Sequence, residues 1–355
     1  MTRAALTGLL TLLVLVLLVL TSAAPSTSGA PQPVPAAAKS AAPQAKPAAP
    51  VEPVAAILEA FGSHQLVALG DAHGNEQGAA FQRTLIRDPR FAEVAHDIVV
   101  EVGNSRDQAL MDSFISGQDV PADALRRVWL DTTQQQAASL EMPELFKTVR
   151  DLNASRPRER QLRVLLGEPP IDWDKIRTAA DLRRWELEPL SGRDVFAADL
   201  IRREVLGKQR RALALYGAGH FFRKNVDHSL VSLLEDARAT KAFTIWTNAA
   251  ADMAAMQPDV REWPVPSLAR LRGTILGRTD FGAFFGAGGG DIPEQWRAPM
   301  EDQFDAVLYL GPASSITFAT PARWACSEPA FTERLRRMGL ARPAAAERLK
   351  TDCVR

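Results

Sequence analysis

Four side chains able to handle protons close three apolar runs that lie far apart in this chain. Asp71 and His73 follow Leu66-Val67-Ala68-Leu69-Gly70, Glu101 follows Ile98-Val99-Val100, and His220 follows Leu213-Ala214-Leu215-Tyr216 across Gly217-Ala218-Gly219. In an open α/β sheet the ligand crevice lies at the carboxyl ends of parallel strands, so polar groups placed there are candidates for chemistry. An imidazole titrates near neutral pH and can take a proton from water or ligate a metal. A carboxylate beside it adds basicity and fixes its tautomer, the orienting role seen in hydrolytic triads.

The three settings differ. In Gly70-Asp71-Ala72-His73-Gly74 the flanking glycines allow a sharp turn from which an acid and an imidazole project, although a short polar turn after a strand is also how a helix cap looks. Glu101 sits in a run whose continuous apolarity signals burial on both faces, so its carboxylate must find a partner; an arginine there would make the position structural. His220 precedes Phe221 and Phe222, which could wall a site with aromatic surface. His64 and His96 precede strands at their amino ends and His228 falls in a helical pattern, so these three are assigned no chemistry. Neither the Gly-x-Ser-x-Gly nucleophile turn nor the His-Glu-x-x-His metal signature is present.

The elements that must position these residues follow from periodicity. Strands are predicted at 65–69, 98–102, 161–166, 212–216, 242–246 and 306–310. Helical patterns fall at 54–61, 76–86, 105–115, 140–152, 175–185, 195–206 and 225–237. Strands alternating with helices give an α/β fold: a mostly parallel sheet flanked by helices on both faces. Residues 119–153 contain no strand pattern and read as a helical insertion after the second strand, with Pro121 at an early helical position. Residues 273–296 are glycine-rich and irregular. Either region could close over the sheet edge as a lid.

The 46% hydrophobic and 24% charged content places the 355-residue chain among globular proteins. With 42 basic and 42 acidic residues the net charge is zero, so no positive field argues for nucleic acid, and a small-molecule substrate is the expected partner. Residues 1–24 read as a signal peptide or N-terminal anchor: Arg3, an apolar run over 9–20, then Thr21-Ser22-Ala23-Ala24. A secreted or periplasmic location follows, with membrane attachment only through an uncleaved N-terminal segment. Residues 25–53 are dominated by Ala and Pro and read as a disordered tether ahead of a single α/β domain over 54–355. Export would permit Cys326 and Cys353 to pair; two unpaired thiols is the equal alternative.

Taken together, Gly70-Asp71-Ala72-His73, Glu101 and Gly217-Ala218-Gly219-His220 resemble the superfamily that contains erythromycin esterases, ChaN-type haem-binding proteins and TIKI/TraB proteins. Arg126-Arg127-Val128-Trp129, Glu144-Leu145-Phe146, Arg150-Asp151-Leu152-Asn153 and Phe304-Asp305-Ala306-Val307 look like the esterase branch. The likeness runs from about Gln65 to Leu310. It departs at Asp71, where the family usually has glutamate, and the two-residue spacing to His73 is that of the ChaN and TraB branches.

The resemblance implies a hydrolase in which His73 activates water, Asp71 and Glu101 orient it, and His220 polarises the carbonyl or protonates the leaving group. No cofactor is expected on that reading. Two alternatives stay open. A divalent metal would be held by His73, Glu101 and His220, as in the TIKI branch. A haem or other hydrophobic ligand, as in the ChaN branch, would sit in an apolar pocket lined by Phe221, Phe222, Phe281, Phe284 and Phe285. A scaffold that has lost activity is the third possibility.

Overall fold

The computed structural model describes residues 44–133, 141–224, 228–236, 240–249, 251–284, 297–319, 327–339 and 347. Residues 1–43, among them the expected signal peptide or anchor, Cys326, Cys353 and residues 285–296 lie outside that set. No described helix is long and apolar enough to cross a membrane.

Seven strands form one sheet: β1 (Leu66–Asp71), β2 (Asp97–Asn104), β3 (Arg163–Glu168), β4 (Ala212–Gly217), β5 (Phe243–Asn248), β6 (Ser267–Arg270) and β7 (Ala306–Tyr309). Their spatial order is β3-β2-β4-β1-β5-β7-β6. All neighbours are parallel except β6 on β7. Six of the strands are those expected from the sequence, each displaced by a residue or two. The seventh, β6, was not expected: Ser267-Leu268-Ala269-Arg270 is four residues long and has no β-branched or aromatic residue.

Helices cover both faces. On the first lie α1 (Pro53–Ala60), α2 (Glu76–Arg87), α3 (Phe91–Val94), α4 (Gln108–Ile115), α5 (Ala122–Leu130), α6 (Glu141–Asn153) and α7 (Ala179–Glu186). The second carries α8 (Arg193–Glu204), α9 (Leu230–Asp236) and the short α10 (Met253–Met256), α11 (Ile275–Arg278) and α12 (Met300–Gln303). The last helix, α13 (Pro329–Met338), returns to the first face through Phe331 and Leu335. Strand alternation divides the core accordingly: Val67, Leu69, Leu213 and Leu215 point to one cluster, Leu66, Ala68, Ala214 and Tyr216 to the other.

This winding positions the site. The chain leaving β1 enters α2, and that leaving β2 enters α4, on the first face; the chain leaving β4 runs to α9 on the second. Because β1 and β4 are neighbours, their connections part to opposite faces and leave a crevice at the strand ends, the place where open α/β sheets hold ligands.

Three expectations change. The helical insertion contains α5 and α6 and no strand among its described residues, but Val128, Trp129, Phe146 and Val149 bury it in the first core, so it is a layer of the fold and not a lid. Pro121 is the residue before α5, not within its first turn. Residues 273–284 are likewise built in, with Leu276, Phe281 and Phe284 in the second core.

The tether also ends earlier than its composition indicated. Lys46 bridges to Thr274, Val51 forms an antiparallel bridge to Leu268 of β6, and Ala48 is buried. Gln257, itself 2% exposed, donates to Ala48 O and accepts from Ala48 N, both at 2.8 Å. A proline- and alanine-rich segment has little side chain to bury, but its backbone can still complete an edge. Replacing Gln257 by Ala strands both Ala48 groups and is expected to lower unfolding free energy by about 2–6 kcal/mol, from roughly 1–3 kcal/mol per buried unmet group. Urea denaturation checks this; a loss below about 0.5 kcal/mol, within the range of neutral surface changes, would contradict the docking.

Candidate active site

Glu101 stands near the end of β2 and is 3% exposed. A buried carboxylate needs neutralising partners, and four converge on it. Gly217 N donates to Oε2 at 2.6 Å, His73 Nε2 lies 3.4 Å from the same oxygen, and His220 Nε2 lies 3.0 Å from Oε1. The Arg193 guanidinium also donates to Oε1. The sequence expectation that Glu101, His73 and His220 share one place is met in the geometry.

Each imidazole is held by a second carboxylate. His73 Nδ1 is 3.2 Å from Asp71 Oδ1, an ion-pair distance across the turn after β1. His220 Nδ1 is bonded to Asp194, the second residue of α8. Gly217 is required here: a Cβ at that position would lie 2.7 Å from His73 Nε2. Its neighbour Tyr216 sets its ring edge-on to His220, centroids 5.5 Å apart.

Burial disfavours charge on both imidazoles, but the adjoining carboxylates outweigh it. Asp71 and Glu101 raise His73 from 6.5 to about 11, and Asp194 with Glu101 raises His220 to about 9. Glu101 moves the other way: burial would raise its pKa, yet the two histidines hold it well below 4.5. At neutral pH the site is therefore two imidazolium ions sharing one carboxylate, with Arg193 as a third cation.

Asp194, Arg193 and Glu168 were not found from the sequence. Arg193 Nε lies 3.2 Å from Glu168 Oε2, and Glu168, fully buried at the end of β3, accepts from Thr133 N at 2.9 Å. Burial raises the Glu168 pKa, countered by Arg193. Glu168 was within reach of the rule that found the others, since Val164-Leu165-Leu166-Gly167-Glu168 is again an apolar run closed by an acid. Arg193 and Asp194 open a helix in a charged stretch, and nothing local marks them.

Beside this cluster is a cavity of about 480 Å3 bordered by His220, Arg193, Asp194, Trp173, Trp185 and Leu182. His228 borders it too, exposed in a turn before α9 at φ +63°, not inside a helix as its pattern indicated. His64 and His96 stay at the opposite strand ends, His96 accepting from Arg211 N at 3.0 Å. Phe221, Phe222, Phe281 and Phe284 are core residues, at most 4% exposed, and do not wall the cavity; Phe285 lies outside the described residues. None of these four therefore lines the cavity beside Glu101 as expected of a hydrophobic-ligand site.

For a metal, no group of three His, Cys, Asp or Glu side chains among the described residues is arranged to hold an ion. The His73 and His220 nitrogens are spaced from Glu101 as hydrogen-bonded ion pairs, and each imidazole uses its other nitrogen on a carboxylate. The donor set does not fit a resident metal as it stands.

Neither a protein-family model nor a curated protein sequence matches this chain. Among solved structures, a succinoglycan biosynthesis protein is similar at TM-score 0.51 and 10% identity, over 74% of this chain and 94% of that one. A Bacillus cereus protein is similar at TM-score 0.48 and 13% identity with the same coverage. ChaN of Campylobacter jejuni, solved with cofacial haem, gives TM-score 0.31 and 13% identity over 55% of this chain and 85% of its own. At 10% identity the likeness to the succinoglycan biosynthesis protein is one of fold, which does not fix chemistry.

The charge pattern has a stability consequence. A group whose pKa is raised on folding stabilises fully below its unfolded value and loses that contribution as pH climbs through the folded one. The histidine contributions are thus complete below pH 6.5 and fade through about 9 for His220 and about 11 for His73. Unfolding free energy should fall from pH 7 to 10, and His220→Gln should flatten the part of that fall centred below pH 9. An equal slope in the variant would contradict the His220 assignment.

Proposed function

We propose that this chain is a hydrolase of the erythromycin esterase and ChaN type that cleaves an ester, lactone or related small-molecule bond with water. The observation that carries the reading is His220. It borders the cavity, is oriented by Asp194, and is the imidazole of the pair that loses its proton first. The reading assigns to His220 the proton transfer that the sequence alone suggested for His73.

While His220 is protonated, Nε2 is bound to Glu101 Oε1. Loss of that proton leaves a lone pair facing a carboxylate, so the contact opens and Nε2 becomes free to accept from water while Nδ1–H stays on Asp194. Water attacks the carbonyl carbon and its proton passes to Nε2. The oxygen that becomes negative meets Arg193, which also borders the cavity. As the C–O bond breaks, His220 returns the proton to the leaving oxygen. His73, still charged and held by Asp71, keeps Glu101 neutralised throughout. The leader and tether composition supports a secreted or periplasmic site of action.

The purified protein should turn over at least one member of a broad ester and lactone panel, with kcat/KM rising toward pH 9. His220→Ala should lower kcat by about 100- to 10,000-fold, the usual worth of a general base. Unchanged activity in that variant, or a rate that falls on approach to pH 9, would overturn the mechanism. Absence of turnover together with a Soret band on mixing with haem would make the cavity a binding site instead.

A further inference from the structure

Behind Trp173, which borders both, lies a second cavity of about 310 Å3 that the proposed reaction does not use. Arg334 of α13 enters it from the core. This side chain is 1% exposed, its guanidinium lies 4.6 Å from the centroid of the Phe331 ring, and Nη1 donates to Thr132 O at 3.0 Å. Among the described residues its Nε and Nη2 have no acceptor. Buried charged donors persist in proteins where something accepts from them.

The other charges on the cavity divide into two sets. Arg106 is paired with Asp172 at 2.9 Å, and Arg337 with Glu333 at 2.7 Å and Asp174 at 3.9 Å. Arg127, Asp107 and Asp131 make no ion pair and no side-chain hydrogen bond among the described residues. Burial raises the pKa of both acids and lowers that of Arg334 to about 10, as expected of charges facing space instead of partners. Two guanidiniums and two carboxylates thus border one chamber without joining each other.

We propose that this cavity binds a zwitterion of the amino-acid class, its carboxylate on Arg334 and Arg127 and its ammonium between Asp131 and Asp107. A phosphate dianion would meet two carboxylates, and a simple cation would meet the unmet Arg334 donors; only a ligand carrying both signs satisfies all four. The volume is at the small end of ligand pockets, matching a single amino acid. Arg334 also holds Thr132, whose neighbour Thr133 holds Glu168, so the occupant lies one wall from Arg193.

The test uses the full chain and thermal-shift and calorimetric titration with free L-amino acids, with acetate and methylammonium as single-charge halves. At least one amino acid should raise Tm saturably, as any ligand of the folded state must, while neither half does so at the same concentration. Arg334→Lys keeps the charge but removes the unmet donors, and should weaken binding about tenfold, the equivalent of one charge-assisted hydrogen bond. Arg127→Gln is on an exposed position and should weaken binding without shifting the unliganded Tm. The proposal is overturned if no amino acid binds, if acetate binds as tightly as the amino acid, or if both arginine variants bind as wild type does.

Discussion

A carboxylate withdrawn from water has to be neutralised where it stands, and the surroundings of Glu101 are arranged by that requirement. Its two oxygens collect a backbone amide from the end of β4, an imidazole from the turn after β1, another from the turn after β4, and a guanidinium from α8. These groups lie up to 119 residues from Glu101 in sequence. Removing any one leaves a buried charge short of a partner, a kind of loss usually worth about 3–5 kcal/mol. The cluster therefore ties β1, β2, β4 and α8 together at one point of the fold.

The same requirement explains the titration behaviour. Each imidazole shares Glu101 and also meets a carboxylate of its own. Asp71 with Glu101 raises His73 to about 11, and Asp194 with Glu101 raises His220 to about 9. Two titratable groups pushed apart by their surroundings are a recognised sign of divided acid and base work. The departure noted at Asp71 fits this picture: the shorter acid still reaches Nδ1 across one residue, at 3.2 Å.

Much of this was readable in the chain. Parallel strands buried on both faces announce themselves as unbroken apolar runs, and the polar residue that ends each run marks the crevice, which is how Asp71, His73, Glu101 and His220 were found. What could not be read depends on sheet order. Nothing local says that β4 inserts between β1 and β2, yet that insertion alone brings His220 to Glu101. Arg193 and Asp194 were hidden for the same reason, since a charged pair opening a helix looks like any solvated end until its neighbours are known. The phenylalanines after His220 misled because aromatic residues beside a site and aromatic residues in a core have one sequence appearance. The docking of residues 46–51 escaped because backbone pairing leaves no mark in composition.

Glu101 keeps two histidines charged at neutral pH. Histidine-labelled 15N NMR of the folded protein reads this directly, with His73→Gln and His220→Gln supplying the assignments. At pH 7 both residues should show the imidazolium pattern, His220 should titrate near 9, and His73 should still be charged there. A neutral imidazole pattern for either residue at pH 7 would contradict it.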